Sequence, residues 1–139
     1  MKEKTKAIIC NGIAAITTTY ASIHNYLHIH SLNPGTYHWW NGQLGDFCFT
    51  AANTAIIATI AHALGRTDKT NKKILEFGLS CATMCSLYEV LQPIYEGNTF
   101  DWKDVVAYFA GSLSIVGLNK LLEKNKKQKS LDNLIQTQN

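Results

Sequence analysis

Between Lys6 and Asp46 the chain carries no Asp, Glu, Lys or Arg at all. The charges that remain are sorted. Of the 13 Lys and Arg residues, all but Lys103 fall in three places: Lys2, Lys4 and Lys6; the stretch Arg66 to Lys73; and the region from Lys120 on. The long stretches they leave free hold four apolar segments of about 20 residues each, which is what a helix rising 1.5 Å per residue needs to cross a hydrocarbon core of roughly 30 Å. Composition hides this pattern. With 46% hydrophobic residues, a net charge of +3 and a mean hydropathy of -0.08, the chain resembles a soluble helical protein, because polar termini and loops dilute the average.

The expected fold is therefore all-α, a polytopic membrane protein built as a four-transmembrane-helix bundle over residues 1–124. Its helices are placed at about 7–27, 44–64, 74–95 and 101–122, followed by a polar, Lys-rich, frayed tail over 125–139. With both termini and the 66–73 loop on one side, that side holds every cation except Lys103, and the positive-inside rule makes it cytoplasmic. Trp39, Trp40 and Trp102 then share the opposite interface, where amphipathic rings are most stable. Lys2 to Ala21 has the outline of a secretory signal, with Thr19-Tyr20-Ala21 as a cleavage-like site. Asn11 and Thr17-Thr18-Thr19 interrupt its apolar run, so it reads as an uncleaved first helix whose hydroxyls bond either carbonyls of the preceding turn or neighbouring helices.

The chemistry is concentrated from Tyr88 to Gly117. Glu89 and Gln92 lie three apart on one helical face, with Cys85 one turn earlier. A turn at Pro93 and Gly97-Asn98 leads to Asp101 and Asp104, which open the fourth helix and approximate a capping box. Asp46, after Gly45, reads as the cap or first-turn acid of helix 2. Glu89, Gln92, Asp101, Asp104 and Asp46 thus form a candidate polar pocket on the outward side, with four of the five histidines nearby and His62 at the other end. An ionisable group inside a span is unfavourable by several kcal/mol unless paired or hydrated, so Glu89 carries the most weight. Capping by Asp46 and Asp101, dipole complementation by Asp104, and for Glu89 either snorkelling to the interface or a structural bond accepted from Tyr or Thr, are the competing structural explanations. Ala107, Gly111 and Ser114 form a small-residue face suited to close helix packing.

Several functions find no support. Cys10, Cys48, Cys81 and Cys85 form no CxxC pair and no zinc-type spacing with histidine, and His28-Ile29-His30 is a weak metal motif. There is no Ser-His-Asp order, phosphate-binding glycine loop, HExxH or deaminase signature. No cofactor or metal is expected, and an enzymatic role lacks a nucleophile. The expected partners are the lipid bilayer and either a membrane protein or a second copy of the chain; nucleic acid is not among them.

At these residues the chain resembles the VanZ-like family of small bacterial multi-pass membrane proteins. The likeness rests on an acid and Gln92 in one helix, then Gly97, Phe100-Asp101, Asp104 and Gly111. Gly45-Asp46 and Phe100-Asp101-Trp102 resemble a related branch. It covers roughly Leu44 to Leu122. Two positions depart: Asn98 stands where the family commonly has Arg, and Tyr108 where it has Asn. If that Arg grips an anionic head group, the role is missing here. The resemblance implies an inner-membrane, envelope-related protein, since the family's namesake is associated with low-level glycopeptide resistance.

Overall fold

A computed structural model of the chain describes residues 3–31, 40–65, 70–96 and 99–136. They form four helices: α1 Glu3–Ser31, α2 Trp40–Ala63, α3 Thr70–Glu96 and α4 Trp102–Gln136. Three of these, α2, α3 and α4, contain stretches long and apolar enough to cross a membrane: Gly42–Ala63, Asn71–Tyr95 and Trp102–Asp132. α1 is not among them. Asn11 and the three threonines dilute its apolar run, and Thr17 and Thr18 return their hydroxyls to the carbonyls of Ile13 and Ala14.

α2 is the hub and packs against each of the other three helices, while α4 lies against α2 and α3 and touches α1. Alanine makes this possible. Ala51, Ala55 and Ala58 are almost wholly buried and, with Ile74, Ile115 and Val116, form the core; small side chains let backbones approach, the usual basis of helix association in lipid. Cross-helix hydrogen bonds fix the register. Gln43 meets Asp104, Thr50 meets the Tyr108 carbonyl, Thr54 meets Ser112 and His62 meets Asn119. α2 and α4 are therefore parallel. α3 is antiparallel to both, because Tyr108 meets Glu89 whereas Glu123 meets Asn71. α1 starts where α2 ends, with Lys4 near Gly65, so it runs antiparallel to α2 and α4, and its Asn11 meets Asn119.

Two glycines set the tightest approaches. A Cβ at Gly111 would sit well inside van der Waals contact of the Phe47 carbonyl and the Thr50 hydroxyl. At Gly78 it would press on Thr54 and Ser112 at 3.3 and 3.4 Å, where α2, α3 and α4 converge. Gly65 ends α2 in the left-handed region at φ 71°, the usual helix-stop geometry, with the Lys4 ammonium nearby to complement the helix C-terminus.

The helices run beyond their expected limits. α2 starts at Trp40, so Asp46 sits in its second turn and is not a cap. α3 gains Thr70 to Lys73 and Glu96 over the expected 74–95, and Pro93, where the expected turn opens, is inside the helix; proline lacks the N–H that would bond the Glu89 carbonyl. α4 continues to Gln136 where a frayed tail was expected. Past Gly117 it contains neither Gly nor Pro, its residues are mostly good helix formers, and Glu123–Lys127 and Gln128–Asp132 add i,i+4 support. The Asn33-Pro34-Gly35 turn, the Tyr37-His38-Trp39 cluster and Gly97-Asn98 lie outside the described residues, as do the side chains of His28, His30, Trp40 and Glu96.

Candidate functional site

The parallel register of α2 and α4 brings the acids of two helices to the end of the bundle opposite the lysine-rich one, and α3 supplies a third. Glu89 on α3 is buried, with 8% of its surface exposed, and accepts a hydrogen bond of 2.9 Å from the Tyr108 hydroxyl of α4. Tyr108 is itself buried, and its carbonyl accepts the Thr50 hydroxyl at 2.9 Å, which locks the ring's backbone to α2. The carboxyl group of Asp46 faces the same hydroxyl and has Asp104 beside it. Asp104 accepts a 2.9 Å bond from the Gln43 amide, whose nitrogen also lies 3.5 Å from Asp101. The opposite atom of that amide, Gln43 Oε1, is buried without a partner among the described residues.

Two carboxyl groups, those of Glu89 and Asp46, thus meet one phenolic hydroxyl, and a third, that of Asp104, stands beside Asp46. Such an arrangement is stable only with protons, a cation or donor groups between the oxygens, since lipid supplies no solvation. Among the described residues, no three His, Cys, Asp or Glu side chains are placed to hold a metal ion.

Beside the cluster lies a lateral cleft of about 340 Å³ between α2, α3 and α4, lined by Asp46, Phe49, Met84, Cys85, Tyr88 and Tyr108. Phe49, Met84 and Tyr88 are each about half or more exposed, whereas Tyr108 is buried. The rim is therefore apolar and the floor polar. That shape suits a ligand with a greasy part and a donor-bearing head.

The predicted site residues separate into distinct roles. Glu89, Asp46 and Asp104 converge. Asp101 stands at the edge as the N-cap of α4: its Oδ1 accepts the Lys103 N–H at 2.9 Å. Asp104 completes no capping box, because its carboxylate goes to Gln43. Gln92 is half-buried one turn beyond Glu89 on α3. Among the small residues, Ala107 and Gly111 are buried, but Ser114 faces outward and bonds the Gly111 carbonyl of its own helix. The position in contact is Ser112, beside Thr54 and Gly78.

Sequence reasoning missed Gln43 and the central place of Tyr108. It also missed a second polar site at the lysine-rich end. There Asn11 and Asn119 exchange two amide bonds of 2.9 Å, and His62 lies 2.9 Å from Asn119 Oδ1. That oxygen only accepts, so His62 carries its hydrogen on Nε2. The periodic spacing of Asp104, Tyr108, Ser112 and Asn119 on α4, matched by Gln43, Asp46, Thr50, Thr54 and His62 on α2, is the signal that contained both sites.

No family model, no curated protein and no solved structure matches this chain.

Proposed function

We propose that the protein is a four-span protein of the bacterial inner membrane, with both termini cytoplasmic, whose outward-facing acidic cleft binds a cationic or donor-rich group, either a small polar molecule or the head of a lipid-linked envelope component. The observation that carries this reading is that Asp46 and Tyr108, on the floor of an apolar-rimmed cleft, are backed by Glu89 at the Tyr108 hydroxyl and by Asp104 beside Asp46, at the end of the bundle away from the lysines. The unpartnered Gln43 Oε1 asks for a donor at the same place. For α1 as the fourth span, support comes from its outward face, where Ile9, Ile13, Ile16, Tyr20, Ile23 and Leu27 form an exposed apolar stripe with no water-compatible partner. The proposed VanZ-like kinship rests on the motif residues alone and places the role in envelope or glycopeptide-antibiotic tolerance.

The test pairs Glu89→Gln and Asp104→Asn with sensitivity to envelope antibiotics and with protein level in the membrane. Loss of the phenotype in both at normal protein level is the expected result. Wild-type behaviour in both would reduce the cluster to a structural feature.

A second reading, an accessory subunit of a larger membrane complex, is favoured by one observation. Ala110, Ser114 and Gly117 of α4 face outward, and a Cβ at Gly117 would meet nothing within 4 Å. Stoichiometric co-purification of a partner, lost on Gly117→Leu, would support it.

A further inference from the structure

The lysine-rich end of the bundle is more than a topological marker. α3 begins there, at Thr70, and no acid stands in its first turn. The unsatisfied N–H groups and positive dipole end of such a terminus favour an anion. Asn71, in that first turn, donates to Glu123 of α4, and Lys127 pairs with the same carboxylate at 3.2 Å. These contacts place the start of α3, with Lys73 exposed on it, beside the exit of α4 from the bundle. From that level α4 continues as helix to Gln136, exposed wherever its side chains are described, and carries Lys124, Lys126, Lys127 and Lys129. At 1.5 Å per residue, Lys129 stands about 9 Å beyond Glu123. That is close to the Debye length of about 8 Å at physiological ionic strength, so all four ammonium groups lie within reach of a charged surface at the level of Glu123. Glu76 and Glu123 oppose them, but Glu76 is exposed and partnered by Lys72, and Glu123 is shared between Asn71 and Lys127.

Resting on the membrane reading above, we propose that this end is a binding surface for anionic phospholipid head groups, formed by the α3 N-terminus with Lys73 and by the four lysines of the α4 extension. A phosphodiester is the partner whose chemistry fits: a single negative charge with acceptor oxygens, held at a fixed height in the bilayer where these donors emerge. Clustered lysines immediately outside a span attract an anionic leaflet in this way. The rigid helical continuation matters, because it fixes the lysines in a column rising from the surface.

The experiment compares the unfolding temperature of the purified full-length protein in micelles doped with phosphatidylglycerol or with phosphatidylcholine. A ligand that binds only the folded state raises that temperature. The wild type is expected to unfold at a higher temperature with phosphatidylglycerol, and the difference should vanish in 1 M salt, where the Debye length falls to about 3 Å. The variant K124Q/K126Q/K127Q/K129Q should lose most of the difference while matching the wild type in phosphatidylcholine, which shows that it folds. Equal unfolding temperatures in the two lipids, or an undiminished difference in the variant, would overturn the inference. So would stabilisation by soluble polyglutamate without any response to phosphatidylglycerol, which would point to an acidic protein. Alkaline carbonate extraction tests the membrane reading separately. A chain that stays in the membrane pellet but shows no lipid preference refutes this inference alone, and a chain released into the supernatant refutes both.

Discussion

Asn11 and Asn119, 108 residues apart in sequence, hold α1 against α4 through two reciprocal amide bonds of 2.9 Å each. Each amide also donates its second hydrogen to its own helix, to the carbonyls of Ala7 and Ile115. Those backbone bonds require nitrogen at the donating position and so fix the orientation of both amides. With His62 donating to Asn119 Oδ1, every polar atom of the pair is satisfied, and both residues are almost wholly buried.

Removing both partners should therefore destabilise less than the two single removals added together. Asn11→Leu or Asn119→Leu alone leaves a buried amide unsatisfied, a penalty of about 1–3 kcal/mol. The double variant replaces the pair with apolar side chains that lipid-embedded helices tolerate, although His62 still loses its acceptor. Thermal unfolding in detergent should show two strongly destabilised single variants and a double variant less destabilised than their sum. Strict additivity would mean that the two amides are not coupled.

The packing claim separates two glycines on one helix. Gly111→Leu forces a side chain into the Phe47 carbonyl, where backbone cannot yield, and overpacking of this kind is destabilising by roughly 1–3 kcal/mol or more. Gly117→Ala enters open space and should change stability by less than about 1 kcal/mol, in the stabilising direction set by helix propensity. Leu121→Phe, at a position 61% exposed, should also be tolerated. The yield of monodisperse protein in detergent ranks the three, and equal tolerance at 111 and 117 would remove the close approach of α2 and α4.

Much of this was legible in the sequence, for identifiable reasons. The long uncharged stretches and the sorted cations specify helices of membrane length, and Gly65 and Asp101 mark their ends by local chemistry that needs no tertiary context. The convergence of Glu89 with Asp104 follows from a short hairpin. The rest depended on register between helices distant in the chain. Nothing local distinguishes Ser112, which touches Thr54, from Ser114, which faces out; the choice is made by which face of α4 meets α2. Gly45 before Asp46 suggests a cap or first-turn acid, yet Trp40 to Leu44 continue the helix and carry Asp46 into the second turn. The polarity of the α4 extension suggests a frayed tail, whereas the helix propensity of its residues carries α4 to Gln136.

Topology follows from the same charge sorting. Reporter fusions after Asn139 and within 66–73 should report the cytoplasm, and fusions near Asn33 or Asn98 the other side. An external N-terminus, with Asn33 still outside, would leave α1 outside the bilayer core with three spans remaining. An external C-terminus would turn the acidic cleft toward the cytoplasm and end the envelope reading.

Asp101 and Asp46 offer the sharpest contrast between a structural and a functional acid. Asp101 caps α4 through the Lys103 N–H, so Asp101→Ala should lower stability by about 1 kcal/mol, while Asp101→Ser, which keeps an acceptor at the cap, should restore most of it. Asp46 has no cap to lose. Its carboxyl group faces the Tyr108 hydroxyl that Glu89 also accepts and has Asp104 beside it, where like groups crowd and lipid gives no solvation. Asp46→Asn preserves the shape and removes one acid from the crowd, so it should leave the unfolding temperature unchanged or raise it, as expected where a site trades stability for function. The same variant should weaken the envelope phenotype alongside Glu89→Gln and Asp104→Asn. Measured together, unfolding temperature and antibiotic sensitivity should move oppositely for Asp46 and leave sensitivity untouched for Asp101→Ser. If Asp46→Asn instead destabilises the protein as Asp101→Ala does and leaves sensitivity intact, the acids of the cleft are there to hold helices together.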